Sequence, residues 1–121
     1  MKVLLVDDEE DIRSVGQIAL EDFGGWTTLL AASGQEAMQL ATASHPDVIL
    51  LDVMMPVVDG PATLLMLRAQ PETSKIPIIF FTAKVQKKEI TRYMELGAIG
   101  VIAKPFDPTT LAEEIKTILA G

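Results

Sequence analysis

Val48-Ile49-Leu50-Leu51-Asp52 is an unbroken apolar run that ends on a carboxylate. Consecutive apolar residues over so short a stretch fit a strand buried on both faces, as in a parallel sheet. Three further runs share the plan: Leu4-Leu5-Val6 leads into Asp7-Asp8, Ile78-Ile79-Phe80-Phe81 into Thr82, and Val101-Ile102-Ala103 into Lys104. Ligands of open α/β sheets sit in the crevice outside the carboxyl ends of the strands. Parallel pairing of the four runs therefore brings Asp7, Asp8, Asp52, Thr82 and Lys104 together. Three carboxylates, a hydroxyl and an ammonium suit an oxygen-ligated divalent cation and a phosphoryl group.

Working outward, strand and helix signals alternate five times without an internal repeat or low-complexity stretch, which predicts an α/β fold with a parallel sheet. Ile12, Val15, Gly16, Ala19, Leu20 and Phe23 follow the spacing of one buried helical face, which Gly24-Gly25 ends. Trp26 to Ala31 reads as the second strand, and Ser33 with Glu36 as a capping box opening a helix through Ala43. Asp52 to Gly60 is a loop in which Asp59-Gly60 reads as a turn, Gly supplying positive φ, and Pro61 opens a helix to about Arg68. After the strand Pro77 to Phe81 comes a helix over roughly Gln86 to Leu96, stopped by Gly97. The last strand is Ile99 to Ala103. Asp107 is expected to cap the final helix, with Pro108 in its first position and Leu111, Ile115, Ile118 and Leu119 on its apolar face.

Composition narrows the function classes. A chain of 121 residues predicts a single domain spanning 1–121 with one sizeable core, and 49% hydrophobic residues predict a globular one. No apolar run approaches the ~20 residues that span a bilayer, and the start lacks the pattern of a secretory signal, so the expected location is cytoplasmic. The absence of cysteine excludes disulfides and thiolate chemistry. A net charge of −7 argues against direct contact with nucleic acid or anionic membrane and favours protein partners. Glu9, Glu10 and Asp11 read as a solvated helix start, and His45 as a loop residue. Met54 and Met55 read as packing. Lys84, Lys87 and Lys88 form a small basic cluster that reads as a solvated helix start or a face for an acidic partner.

Val3-Leu4-Leu5-Val6-Asp7-Asp8-Glu9, Leu51-Asp52-Val53-Met54-Met55-Pro56 with Asp59-Gly60, Phe81-Thr82-Ala83 and Lys104-Pro105-Phe106 occur in that order along nearly the whole chain. The ordered set resembles the receiver domain of bacterial two-component response regulators. The resemblance implies a flavodoxin-like (βα)5 three-layer sandwich with a five-stranded parallel sheet of order 2-1-3-4-5. It implies Asp52 as phospho-acceptor, and a Mg²⁺ ion, replaceable by Mn²⁺, held by Asp7, Asp8, Asp52 and the backbone carbonyl of Met54. It favours a cis Lys104-Pro105 bond that aims Lys104 inward. Physically, the ion would bridge Asp52 to the incoming phosphoryl oxygens, with Lys104 and Thr82 as partners for the remaining ones.

The expected function is a Mg²⁺-dependent phospho-acceptor domain that takes a phosphoryl group from a sensor histidine kinase or histidine phosphotransfer protein and switches a downstream protein partner. It would take part chemically in its own phosphorylation and dephosphorylation without being a turnover enzyme. A departure from the family pattern stands at Val101, where such domains usually carry Tyr or Phe three residues before Lys-Pro. A β-branched residue has no ring to swing inward, so aromatic switching is not expected. One rival is a phosphohydrolase using Asp52 as nucleophile, but Met54 stands where such enzymes commonly place an acid/base Asp. The other is an unphosphorylated docking module of the same fold.

Overall fold

The computed structural model describes all 121 residues. The strands are β1 (Lys2–Val6), β2 (Thr27–Ala31), β3 (Val48–Asp52), β4 (Ile78–Thr82) and β5 (Gly100–Ala103). They pair in parallel in the order β2-β1-β3-β4-β5, the expected topology. The helices are α1 (Glu10–Ile18), α2 (Gly34–Ser44), α3 (Gly60–Ala69), α4 (Lys87–Leu96) and α5 (Leu111–Ala120).

Alternate residues of the central strands feed two separate cores, because successive side chains of a strand point to opposite faces. Leu4, Val6, Ile49, Leu51, Ile78 and Phe80 meet Ala37, Leu64, Leu67 and Tyr93 of α2, α3 and α4. Val3, Leu5, Val48, Leu50, Ile79 and Phe81 meet Ala19, Leu20, Leu111 and Ile115 on the side of α1 and α5. Helices on both faces explain why β3 and β4 are buried along their whole length. Three layers result. The register carries the strand ends together: Val6 lies opposite Leu51, Asp52 opposite Phe81, and Thr82 opposite Ala103.

Three local expectations are corrected. The first helix does not run as one α-helix to Phe23: after Ile18 it widens into a π-helical turn, Ala19–Phe23. The wider winding changes the direction in which successive side chains point, so Ala19 and Leu20 are buried while Phe23 points to solvent at 58% exposure. Val15, at the edge of the stripe, is also exposed.

Asp59-Gly60 is a helix start. The Asp59 carboxylate accepts a hydrogen bond from the Ala62 amide at 2.9 Å, which caps α3, and Pro61 sits in its first turn as expected. Gly60 does not supply positive φ. It is small because a Cβ there would lie 2.7 Å from the Val53 Cα and collide with the Asp52 carbonyl oxygen.

Asp107 does not cap α5 at Pro108. Its carboxylate accepts from the Thr109 amide at 2.9 Å and the Thr109 hydroxyl at 2.7 Å, forming a local turn, and the regular helix begins at Leu111. By contrast Ser33 caps α2 as read, accepting from the Glu36 amide at 3.1 Å. The Glu36 side chain reaches the amide of Ala32, one residue further back than in a capping box. His45 lies just past α2 in a left-handed conformation, and Gly97 ends α4 the same way.

Candidate functional site

Asp52 is the last residue of β3 and Thr82 the last of β4, while Asp7 and Lys104 each follow their strand by one residue. Backbone bonds lock these positions: the Asp7 amide donates to the Ala31 carbonyl at 3.0 Å, and the Lys104 amide to the Thr82 carbonyl at 2.9 Å. Strand pairing is thus what places four chemical groups side by side.

Lys104 Nζ lies 2.6 Å from Asp7 Oδ2 and 3.1 Å from Asp52 Oδ1, donating to both. Its approach uses a cis Lys104-Pro105 peptide bond, in agreement with the expectation from the family pattern. The ammonium also stands 4.6 Å over the Phe81 ring, which Phe106 braces from 5.3 Å away. Asp7 is fully buried and Asp52 nearly so, at 3% exposure. The second Asp7 oxygen, Oδ1, accepts from the Glu9 amide at 2.9 Å. The Asp7 carbonyl accepts from Arg13 at 2.8 Å. Asp8 remains exposed, yet carboxylate oxygens of Asp7, Asp8 and Asp52 all lie within 4.8 Å of one another.

Electrostatics follow from this crowding. Burial first, and then the Asp7 carboxylate, together raise the Asp52 pKa to about 6 against the opposing pull of Lys104. Burial works against the Lys104 ammonium, but its hydrogen bond to Asp7 and the charges of Asp52 and Asp7 outweigh that and hold its pKa above the ordinary lysine value. One ammonium faces three carboxylates. That excess of hard oxygen ligands fits a divalent cation such as Mg²⁺, which takes few carboxylates and keeps several waters.

Beside Asp52 opens a cavity of about 220 Å³ lined by Glu9, Asp52, Met54, Thr82, Ala83, Lys84 and Lys104. Thr82 is buried, and its oxygen accepts from the Lys84 amide at 3.0 Å, leaving the hydroxyl hydrogen to be directed elsewhere. Asp7, Asp8, Asp52, Thr82 and Lys104 therefore converge as the four apolar runs imply. Met54 adjoins them through its amide, which donates to Asp52 Oδ1 at 3.3 Å. Two residues that the sequence reading left outside the site belong beside it: Glu9, read as a solvated helix start, fixes Asp7 through its amide, and Lys84, read as part of a basic cluster, borders the cavity. Lys84 carried a signal, standing two residues beyond Thr82 and hence just outside the strand end. Val101, half-buried, packs against the core shared with Tyr93.

A family model described as the response regulator receiver domain matches residues 3–116. The alkaline phosphatase synthesis transcriptional regulatory protein PhoP of Bacillus subtilis is 39% identical over 118 residues, which cover 98% of this chain and 48% of that protein. The chain spans about half the length of the curated relatives it matches. Among solved structures, the chemotaxis protein CheY4 of Vibrio cholerae superposes with a TM-score of 0.89 at 34% identity, covering 97% of both chains. The signal receiver domain of a histidine kinase from Syntrophus aciditrophicus gives a TM-score of 0.83 at 32% identity, with 99% of this chain and 90% of that one covered.

Proposed function

The chain belongs to the response regulator receiver domain family, and on that premise we propose that Asp52 accepts a phosphoryl group from the phosphohistidine of a sensor histidine kinase or a histidine phosphotransfer protein. The observation that carries this reading is Lys104 Nζ held between Asp7 and Asp52 beside a cavity that Thr82 also lines. An Asp52 carboxylate oxygen attacks phosphorus, the P–N bond to the imidazole breaks, and the imidazole leaves as it takes up a proton. Lys104, 3.1 Å from Asp52 Oδ1, can meet negative charge that develops on a phosphoryl oxygen, and the Thr82 hydroxyl can donate to another. Asp7, Asp8, Asp52 and the Met54 carbonyl are the residues that would hold Mg²⁺, which when bound neutralises charge on the transferring group. Hydrolysis of the aspartyl phosphate resets the domain.

Met54 is 60% exposed at the cavity edge and has no proton to give, so the position where an aspartyl phosphohydrolase commonly carries its acid/base Asp holds none. The domain is a participant in its own modification, not a turnover enzyme. No helix is long and apolar enough to cross a membrane.

The test is incubation with Mg²⁺ and acetyl phosphate followed by intact mass and mapping of the adduct. Wild type gains one phosphoryl group, and Asp52→Asn gains none. Equal incorporation in Asp52→Asn would move the acceptor to another carboxylate, and no incorporation in wild type would favour the docking module.

A further inference from the structure

Phe81 is fully buried in the core with Leu50, Ile79 and Ile102, and burial there asks only for an apolar side chain. What a ring adds is a face of negative potential. That face is in use: Lys104 Nζ stands over it, 4.6 Å from the centroid, inside the range of a cation–π contact. In the register Asp52 lies directly opposite Phe81. The alternation that turns Leu50 and Ile79 into one core turns Asp52 and Phe81 to that same side of the sheet. Phe80, one residue earlier, belongs to the opposite core and pairs with Tyr93 at 5.1 Å.

An ammonium has three N–H donors; two meet Asp7 and Asp52, and no third protein oxygen accepts from Lys104. Those two carboxylates are also groups that a divalent cation would engage, and Asp52 is the one that acceptance converts to an acyl phosphate. Each event alters a hold on Lys104, whereas the ring is consumed by neither. The Lys104 side chain is only 18% exposed, and a cation–π contact strengthens as water is excluded. Phe106, two residues beyond Lys104, packs against Phe81 at 5.3 Å with the ring planes at 51°. One loop thus supplies both the ammonium over the ring and the brace beside it. We propose that Phe81 is a positioning residue for phosphoryl acceptance, its ring face keeping the Lys104 ammonium beside Asp52 while the carboxylates change partners. The inference rests on Asp52 being the acceptor.

The experiment replaces Phe81 site-specifically by phenylalanines carrying one, two or three ring fluorines, which weaken the negative face with little change of size. The rate of phosphorylation by acetyl phosphate with Mg²⁺ should fall stepwise, to about fivefold below wild type with three fluorines. The same series at Phe80 should leave the rate unchanged, and a merely structural Phe81 would behave like Phe80. Phe81→Leu should slow acceptance at least as much as the trifluorinated ring. With no phosphodonor present, the Lys104 ε-methylene protons should resonate upfield in the ring current of Phe81, and Phe81→Leu should abolish that shift. A wild type that accepts phosphate but shows no upfield shift, a flat rate across the fluorine series, or an equal loss at Phe80 overturns the proposal and leaves the acceptor reading standing. Absence of any adduct in wild type overturns both.

Discussion

Asp52 and Val57 are each held in an unfavourable state, one by desolvation and one by its backbone angle. The Asp52 carboxyl is raised to about 6 from its ordinary 3.8, so the folded protein binds more protons than the unfolded chain between those values. Stability therefore falls as pH rises through that window, and what Asp52 contributes when protonated is present below pH 3.8 and lost above about pH 6. In metal-free protein, Asp52→Asn should flatten this slope and raise stability at pH 7 by on the order of 2 kcal/mol. Urea titrations at pH 5 and pH 7 check it. An unchanged pH slope in Asp52→Asn would show that burial and the Asp7 carboxylate do not strain this group.

Val57 has φ of 67° and is fully exposed, and the Val58 amide donates to the Pro56 carbonyl at 2.8 Å across it, closing a three-residue γ-turn. A β-branched residue is poorly suited to positive φ, and no packing compensates it here. Val57→Gly should stabilise the fold by about 1 kcal/mol, measured as a higher denaturant midpoint at unchanged m-value.

At the scale of elements, the loop from Thr82 to α4 is the part free to report phosphorylation. The Lys84 amide now donates to the Thr82 oxygen, so a hydroxyl that turns to donate to a phosphoryl group disturbs the anchor of Ala83 to Gln86. That is the differential contact a population shift requires. Amide NMR shifts with beryllofluoride and Mg²⁺ should change around Asp52 and continue from Ala83 into α4 and the adjoining β5–α5 face. Shifts confined to Asp52 and its neighbours would exclude this route. Val101 takes no part as a swinging ring. It packs against the core beside β4, so Val101→Tyr should alter partner affinity more than the rate of phosphorylation.

Across the whole molecule, the crowded carboxylates would couple any metal binding to folding. Carboxylates of Asp7, Asp8 and Asp52 within 4.8 Å of one another repel, and a divalent ion that binds only the folded state relieves that repulsion. Free Mg²⁺ at tenfold its Kd should stabilise the domain by about 1.4 kcal/mol, a Tm rise of about 5 °C for a chain of this size. Asp8→Ala, at an exposed position, should fold normally and lose most of that rise. A Tm response equal to wild type would remove Asp8 from the metal set.

The order of elements, the parallel sheet and the convergence of Asp7, Asp8, Asp52, Thr82 and Lys104 were legible in the chain itself. They arise from local facts: apolar runs long enough for strands, helical spacings between them, and polar residues at the run ends. The topology needed the resemblance as well, since run order alone permits several strand arrangements. Other features were decided by contacts between distant segments, which no local pattern encodes. The π-helical turn at Ala19–Phe23 exists where the helix meets α5 and the sheet, and it turned Phe23 outward against its sequence spacing. Gly60 reads in sequence as a residue for positive φ, but its lack of a side chain serves the close passage of the Asp52 carbonyl. The raised pKa of Asp52 and the contact of Lys104 with the Phe81 ring likewise depend on neighbours far along the chain. Periodicity and end residues determined which groups would meet, whereas desolvation and close packing, which exist only after the layers assemble, decided the state in which they meet.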